Sequence, residues 1–172
     1  MRKFLLLAGT CTVLAATIAL PAGAITQTSF TLTAGALSIS APTGDTVSLG
    51  SQIASTSEST ISGPLGDVTV SDQRGGTTNW TASVISTAFT PPAGPADPVS
   101  NVSYATGTIT ASATVVATPA AASTSNLTGV KPVVTGASTG ISSATWNPII
   151  SVIVPANFAP GVYSATITHS VA

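Results

Sequence analysis

The chain has 172 residues, of which 44% are hydrophobic and only 5% charged. With Arg2 and Lys3 of the N-terminal segment set aside, Arg74 and Lys131 face Asp45, Glu58, Asp67, Asp72 and Asp97, a net charge of −3. That balance excludes the basic stripe that nucleic acid requires and simple adsorption to anionic polymers or lipid headgroups, so contact with any such surface must use shape, hydrogen bonds and stacking.

Arg2 and Lys3 precede an apolar run over residues 4–20, and Pro21-Ala22-Gly23-Ala24 follows. Charged, apolar and small-residue regions in this order form a secretory signal peptide, with cleavage expected after Ala24. The run is shorter than the ~20 residues of a spanning helix, and Thr10, Cys11 and Thr12 weaken its middle. The mature chain is therefore expected to be secreted, without a membrane span and without cysteine, and to depend on its core alone. Its length of about 148 residues suits one domain that buries roughly two thirds of its unfolded surface. Disorder goes with low hydrophobicity and high net charge, so the abundance of Ser and Thr reads as a folded β protein.

Phe30 and Leu32 alternate with Thr, and Leu37, Ile39 and Ala41 alternate with opposite parity after Gly35, which predicts a turn or bulge between two strands. Val47 and Leu49 form a short third run, and residues 50–66 read mostly as loop. Residues 68–84 hold two alternating runs around Asp72-Gln73-Arg74-Gly75-Gly76, the pattern of a β-hairpin with a long loop. A second parity switch is expected at Val84 and Ile85, with the run ending at Phe89. Pro91, Pro92, Gly94, Pro95 and Pro98 mark a surface loop.

Ile109, Ala111, Ala113, Val115 and Ala117 give a period of two up to Pro119, and the alanines predict close sheet contact or a thin core. Val133 and Val134 predict a short strand. Trp146, Ile149, Ile150, Val152, Ile153 and Val154 are apolar on both parities, as in a strand buried on both faces. Tyr163, Ala165, Ile167, His169 and Val171 alternate with Ser and Thr, and Tyr163 after Pro160-Gly161 predicts a hydroxyl bonded to upstream backbone. With no sustained helical period after the leader, these runs predict an all-β fold. The expected architecture is an antiparallel β-sandwich of Ig-like or Greek-key type, with a cleaved signal peptide at 1–24 and a single domain at 25–172.

Asp72 and Arg74 lie two apart and share a face of an extended strand. They read either as a turn-stabilising ion pair or as polar recognition beside Trp80. Trp80 alternates with Ala82 and Val84 and is either a core residue or a sugar-stacking platform, whereas Trp146 opens the most hydrophobic run and reads as core. His169 is the only histidine; without a second His or a Cys in the mature chain it has no metal co-ligand, and no Gly-x-Ser-x-Gly supplies a nucleophile. No cofactor is expected. Glu58 and the four Asp show no spacing that singles out a glycosidic carboxylate pair.

Val68-Thr69-Val70-Ser71-Asp72-Gln73-Arg74-Gly75-Gly76 followed by Trp80-Thr81-Ala82 resembles the first signature of the WxL domain, a Gram-positive cell-surface module. Val154-Pro155-Ala156 and the stretch from Gly161, Val162 and Tyr163 to His169-Ser170-Val171 are similar to that domain's closing strand. The resemblance spans about residues 28–172, and the family's Trp-x-Leu stands here as Trp80-x-Ala82 and His169-x-Val171. It implies a secreted protein held non-covalently at the cell wall and linked to peptidoglycan, with Asp72, Arg74, Gly75, Trp80 and His169 as candidate binding or motif residues.

The expected function is thus a non-enzymatic cell-surface protein that associates with peptidoglycan or with another surface protein. The alternative is a structural subunit of a surface assembly or filament built by β-strand addition, an idea that the alternating run up to the last residues fits. A secreted enzyme has only the general availability of carboxylates in its favour. No hydrophobic tail or basic terminus follows the last run, so covalent anchoring is not expected.

Overall fold

A computed structural model of the chain describes residues 27–43 and 47–172. The expected leader, its cleavage point at Ala24, and Asp45 lie outside the described residues. Twelve strands are present among them: β1 Leu37–Ser40, β2 Ser59–Pro64, β3 Val68–Asp72, β4 Thr78–Ser86, β5 Val102–Ala105, β6 Ile109–Ala111, β7 Val115–Pro119, β8 Thr124–Ser125, β9 Lys131–Ser138, β10 Ser142–Trp146, β11 Ile149–Val154 and β12 Ile167–Val171. A single 3-10 turn at Val99–Asn101 is the only helical element among the described residues. The protein is all-β, and every strand pair is antiparallel.

The strands form three four-stranded sheets, ordered β1-β3-β10-β6, β2-β11-β5-β8 and β12-β4-β9-β7. The first two are segments of one sheet folded along a line. Its central strand runs through β10 and β11, with Asn147 and Pro148 between them; β3 and then β2 flank one side, β6 and then β5 the other. Trp146 pairs with Val68 and Ile149 with Pro64, so two central residues face three on the flank; Ile109 and Ala105 repeat the offset on the other side. Pro148 offers no N–H to a ladder, and each flank absorbs its extra residue as a bulge at a glycine of positive φ, Gly66 or Gly107. Across the fold line the Leu65 N–H still donates to the Pro148 carbonyl at 2.9 Å, and the Gly66 N–H to Asn147 Oδ1 at 3.2 Å.

The third sheet packs against this bent sheet, and one core draws on all three: Val68, Val70, Ala144 and Trp146, then Val102, Tyr104, Ile150 and Val152, then Trp80, Ala82, Val84, Val133 and Val134. Burying each large apolar side chain stabilises the fold by ~1.5–3 kcal/mol, which explains a sandwich that stands without disulfides. At the margins β1 lies beside β12 and β6 beside β7.

Several local expectations are corrected. Residues 68–84 are no hairpin: β3 pairs with β1 and β10, β4 with β12 and β9, and residues 73–77 carry the chain from one sheet to the other. Residues 109–117 likewise split into β6 and β7 in different sheets, joined by a turn in which the Val115 N–H donates to the Ser112 carbonyl. Alternation is the same on both sides of such a crossing, so it carries no mark of the sheet change. Ala111 and Ala113 are exposed and only Ala117 is part-buried.

Residues 59–64, expected as loop, form β2. Residues 47–50 form no strand but lie against it, with Leu49 over Gly63. The parity switch at Val84 and Ile85 is absent, because Ala82, Val84 and Ser86 stay buried; the bulge sits on β9, where Val133 is the extra residue opposite Ala82 and Ser83. Ile149 and Ile153 are exposed while Ile150 and Val152 are buried, so β11 is half-buried rather than covered on both faces. Phe30 and Leu32 lie in no strand and are 91% and 84% exposed. The Tyr163 hydroxyl donates to the Ala159 carbonyl at 3.0 Å as expected.

Candidate functional site

Asp72 closes β3 with a fully buried side chain that gathers the crossing behind it. Its Oδ1 accepts the backbone N–H of Arg74 at 3.1 Å and Arg74 Nε at 2.9 Å; its Oδ2 accepts Arg74 Nη2 at 3.0 Å and the Thr78 hydroxyl at 2.7 Å. The paired guanidinium, helped by Thr78, holds the carboxyl well below the usual carboxylate range against the opposing effect of burial. Arg74 Nη2 also donates to the Asn79 carbonyl, tying the start of β4 to the end of β3. Gly75 and Gly76 follow with φ of 74° and 70°, which lets the chain reverse above the ion pair.

Trp80 is 3% exposed and lies flat over Gly136, its cross-strand neighbour on β9, in the row that continues to Ala117 on β7. A Cβ at residue 136 would overlap the indole. Its N–H is buried without a partner. Trp80 is therefore a core residue, not an open stacking platform.

His169 is placed elsewhere. It pairs with Val84, five residues along β4 from Asn79 and thus roughly 16 Å from the Arg74 contact at 3.3 Å per residue. The motif residues form two separate clusters, not one site. The second cluster is a buried relay: Trp146 Nε1 donates to the Tyr104 hydroxyl at 2.8 Å, and that hydroxyl lies 3.2 Å from His169 Nε2. The indole can only donate, so the Tyr104 proton is free to point at Nε2, which leaves the ring proton on Nδ1, buried and without a partner. Burial lowers the His169 pKa to about 4 and pushes the Tyr104 phenol up to about 12, so both are neutral near pH 7. The sequence reading missed Tyr104, although Val102 and Tyr104 alternate with Ser103 and Ala105.

His169 also borders a groove of about 780 Å³. Ile61, Ile150 and Val152 of the folded sheet form one wall, residues 47–55 a second, and residues 158–167 a third. Phe158 and Tyr163 stack there with ring centroids 5.9 Å apart. Asp97 reaches the same groove, 2% exposed, held by Asn101 Nδ2 at 2.7 Å and pushed up in pKa by burial.

The outer face of the folded sheet is a field of hydroxyls. One rung reads Ser38, Ser71, Ser143, with Ser112 hydrogen bonded to Ser143; the next reads Ser40, Thr69, Thr145, Thr110. Beyond the fold line, a third reads Ser62, Ser151, Ser103, Ser125. Thr69 and Thr145 hydroxyls bond each other at 2.9 Å. Alternation places these side chains opposite Ile39, Val70, Ala144 and Val152, which face the core.

No family model, curated protein or solved structure matches this chain. Among the described residues no three His, Cys, Asp or Glu side chains gather as a metal site would require.

Proposed function

We propose that the protein is a secreted, non-catalytic cell-surface protein of the WxL type that associates non-covalently with the cell wall, its contact being the hydroxyl face of the folded sheet. The observation that carries this reading is the set of three uncharged Ser/Thr rungs, twelve hydroxyls on one face. A chain so poor in charge has no electrostatic hold on a wall polymer, whereas a periodic array of donors and acceptors matches the repeating hydroxyls and amides of a glycan strand such as peptidoglycan. The leader and the signature residues support secretion and the family. Asp72, Arg74 and Trp80 serve this function indirectly, by holding the two layers in place.

The test is co-sedimentation with purified walls. The double variant Thr69→Val/Thr145→Val keeps side-chain shape and removes two central hydroxyls; wall binding should fall several-fold while Trp80→Phe binds as wild type. Undiminished binding by a folded Thr69→Val/Thr145→Val variant would refute the hydroxyl face as the contact.

A second reading, a subunit of a surface assembly formed by strand addition, has an observation of its own in the edge of β12 turned away from β4, which pairs with no strand among the described residues although β1 lies beside it. Ser164 and Ala172 turn their backbone groups toward β4 and its extension, exchanging paired bonds with Thr90 and Thr81. The alternation leaves the N–H and C=O groups of Ala165, Ile167 and His169 directed away from it.

A further inference from the structure

Resting on that second reading, we infer that the groove beside β12 accepts residues 28–33 of a second copy of this chain, added as a strand with Phe30 and Leu32 as its anchors. The donor has the required pattern: Thr28-Ser29-Phe30-Thr31-Leu32-Thr33 puts two large apolar side chains on one face of an extended segment and hydroxyls on the other. In the folded chain this segment belongs to no strand, and those two side chains are the most exposed large hydrophobics of the described residues apart from Ile53, which is 90% exposed and lines the groove. Carrying no charge, the segment also suits a groove whose lining holds a single carboxyl, buried Asp97, and a single imidazole, the neutral His169.

The acceptor supplies both halves of a strand-addition site. Residues 163–167 form one wall of the groove, and the odd-numbered backbone groups of this edge face away from β4. A donor strand bonded to Ala165 and Ile167 would direct alternate side chains onto Ile61, Ile150 and Val152. A six-residue strand is about 20 Å long, and 780 Å³ is ample for one phenyl, one isobutyl group and their backbone. Because donor and acceptor lie on different parts of the same chain, the contact is head-to-tail and continues from copy to copy.

Sedimentation velocity of the purified secreted protein over a hundred-fold concentration range provides the test. The wild type should rise in mean mass at least two-fold, whereas Phe30→Asp/Leu32→Asp, altered outside the β-fold, should remain one chain. A synthetic peptide of residues 28–33 in excess should dissolve wild-type oligomers. Mixing secreted Leu32→Cys chains with secreted Ala165→Cys chains, each then carrying one cysteine after leader cleavage, should yield a mixed disulfide dimer. Oligomers that persist unchanged in the double Asp variant overturn this donor segment but leave assembly by other edges standing. A wild type that stays monomeric throughout overturns both.

Discussion

Asp72 accepts four hydrogen bonds, three of them from Arg74, and the charged form of its carboxyl is what they stabilise. A carboxylate whose folded pKa lies below its ordinary 3.8 contributes stability that is complete above that value and lost as pH falls through the lower one. His169 acts over a different window. Its folded pKa of about 4 lies below the ordinary 6.5, so between those values the unfolded chain binds a proton that the folded chain refuses. Stability is complete above about 6.5, then declines toward pH 4 by up to ~3 kcal/mol, at 1.36 kcal/mol per pKa unit. Acid unfolding is thus expected in two stages, read as Tm against pH. His169→Gln, which keeps an acceptor for Tyr104, should flatten the upper stage alone. Asp72→Asn should remove the lower stage and cost about 1–3 kcal/mol at neutral pH. A single stage unchanged in both variants would contradict these assignments. The pairing of Asp72 with Arg74 was legible from their spacing, but the relay to Tyr104 was not, since its three members lie 42 and 65 residues apart.

The strands show where period-two reasoning succeeds and where it lacks information. Alternation located the cores of β1, β3, β4 and β12 because each presents one face to the interior. It could not tell a hairpin from a crossing between sheets, since neither the turn at residues 73–77 nor that at residues 112–114 disturbs the alternation. Pairing is also remote: β10 lies between β3 and β6, and nothing local in 142–146 names those partners. The two buried valines of β9 read as a short strand because a bulge, with Val133 as its extra residue, breaks their alternation. Gly136 is the strand position most sharply fixed by a neighbour. Gly136→Ala forces the Trp80 indole off the strand, an overpacking cost of about 1–3 kcal/mol in urea or thermal unfolding. If that contact is the cause, Gly136→Ala should cost less in a Trp80→Phe background, where the ring is smaller; strict additivity in the double-mutant cycle would show that the indole is not the obstacle.

At the scale of the whole molecule, what is unusual is how little charge the surface carries and how regularly hydroxyls replace it. The one salt bridge found among the described residues is the Asp72–Arg74 pair, and it serves the crossing between layers rather than a partner. A surface built this way attracts a polymer by matching hydrogen bonds at contact range, not by a field reaching into solvent. Salt separates the two cases. The screening length falls from about 10 Å at 0.1 M to about 3 Å at 1 M ionic strength, which weakens exposed charge pairs and leaves direct neutral hydrogen bonds almost untouched. Binding to purified walls should therefore change by less than about two-fold over that range. Thr69→Val/Thr145→Val should lower binding by the same factor at either salt concentration, because the bonds it removes are neutral at both. A ten-fold loss of wild-type binding at 1 M would mean that Lys131, Arg74 and the acidic side chains make the contact, and would move the interface off the folded sheet's hydroxyl face.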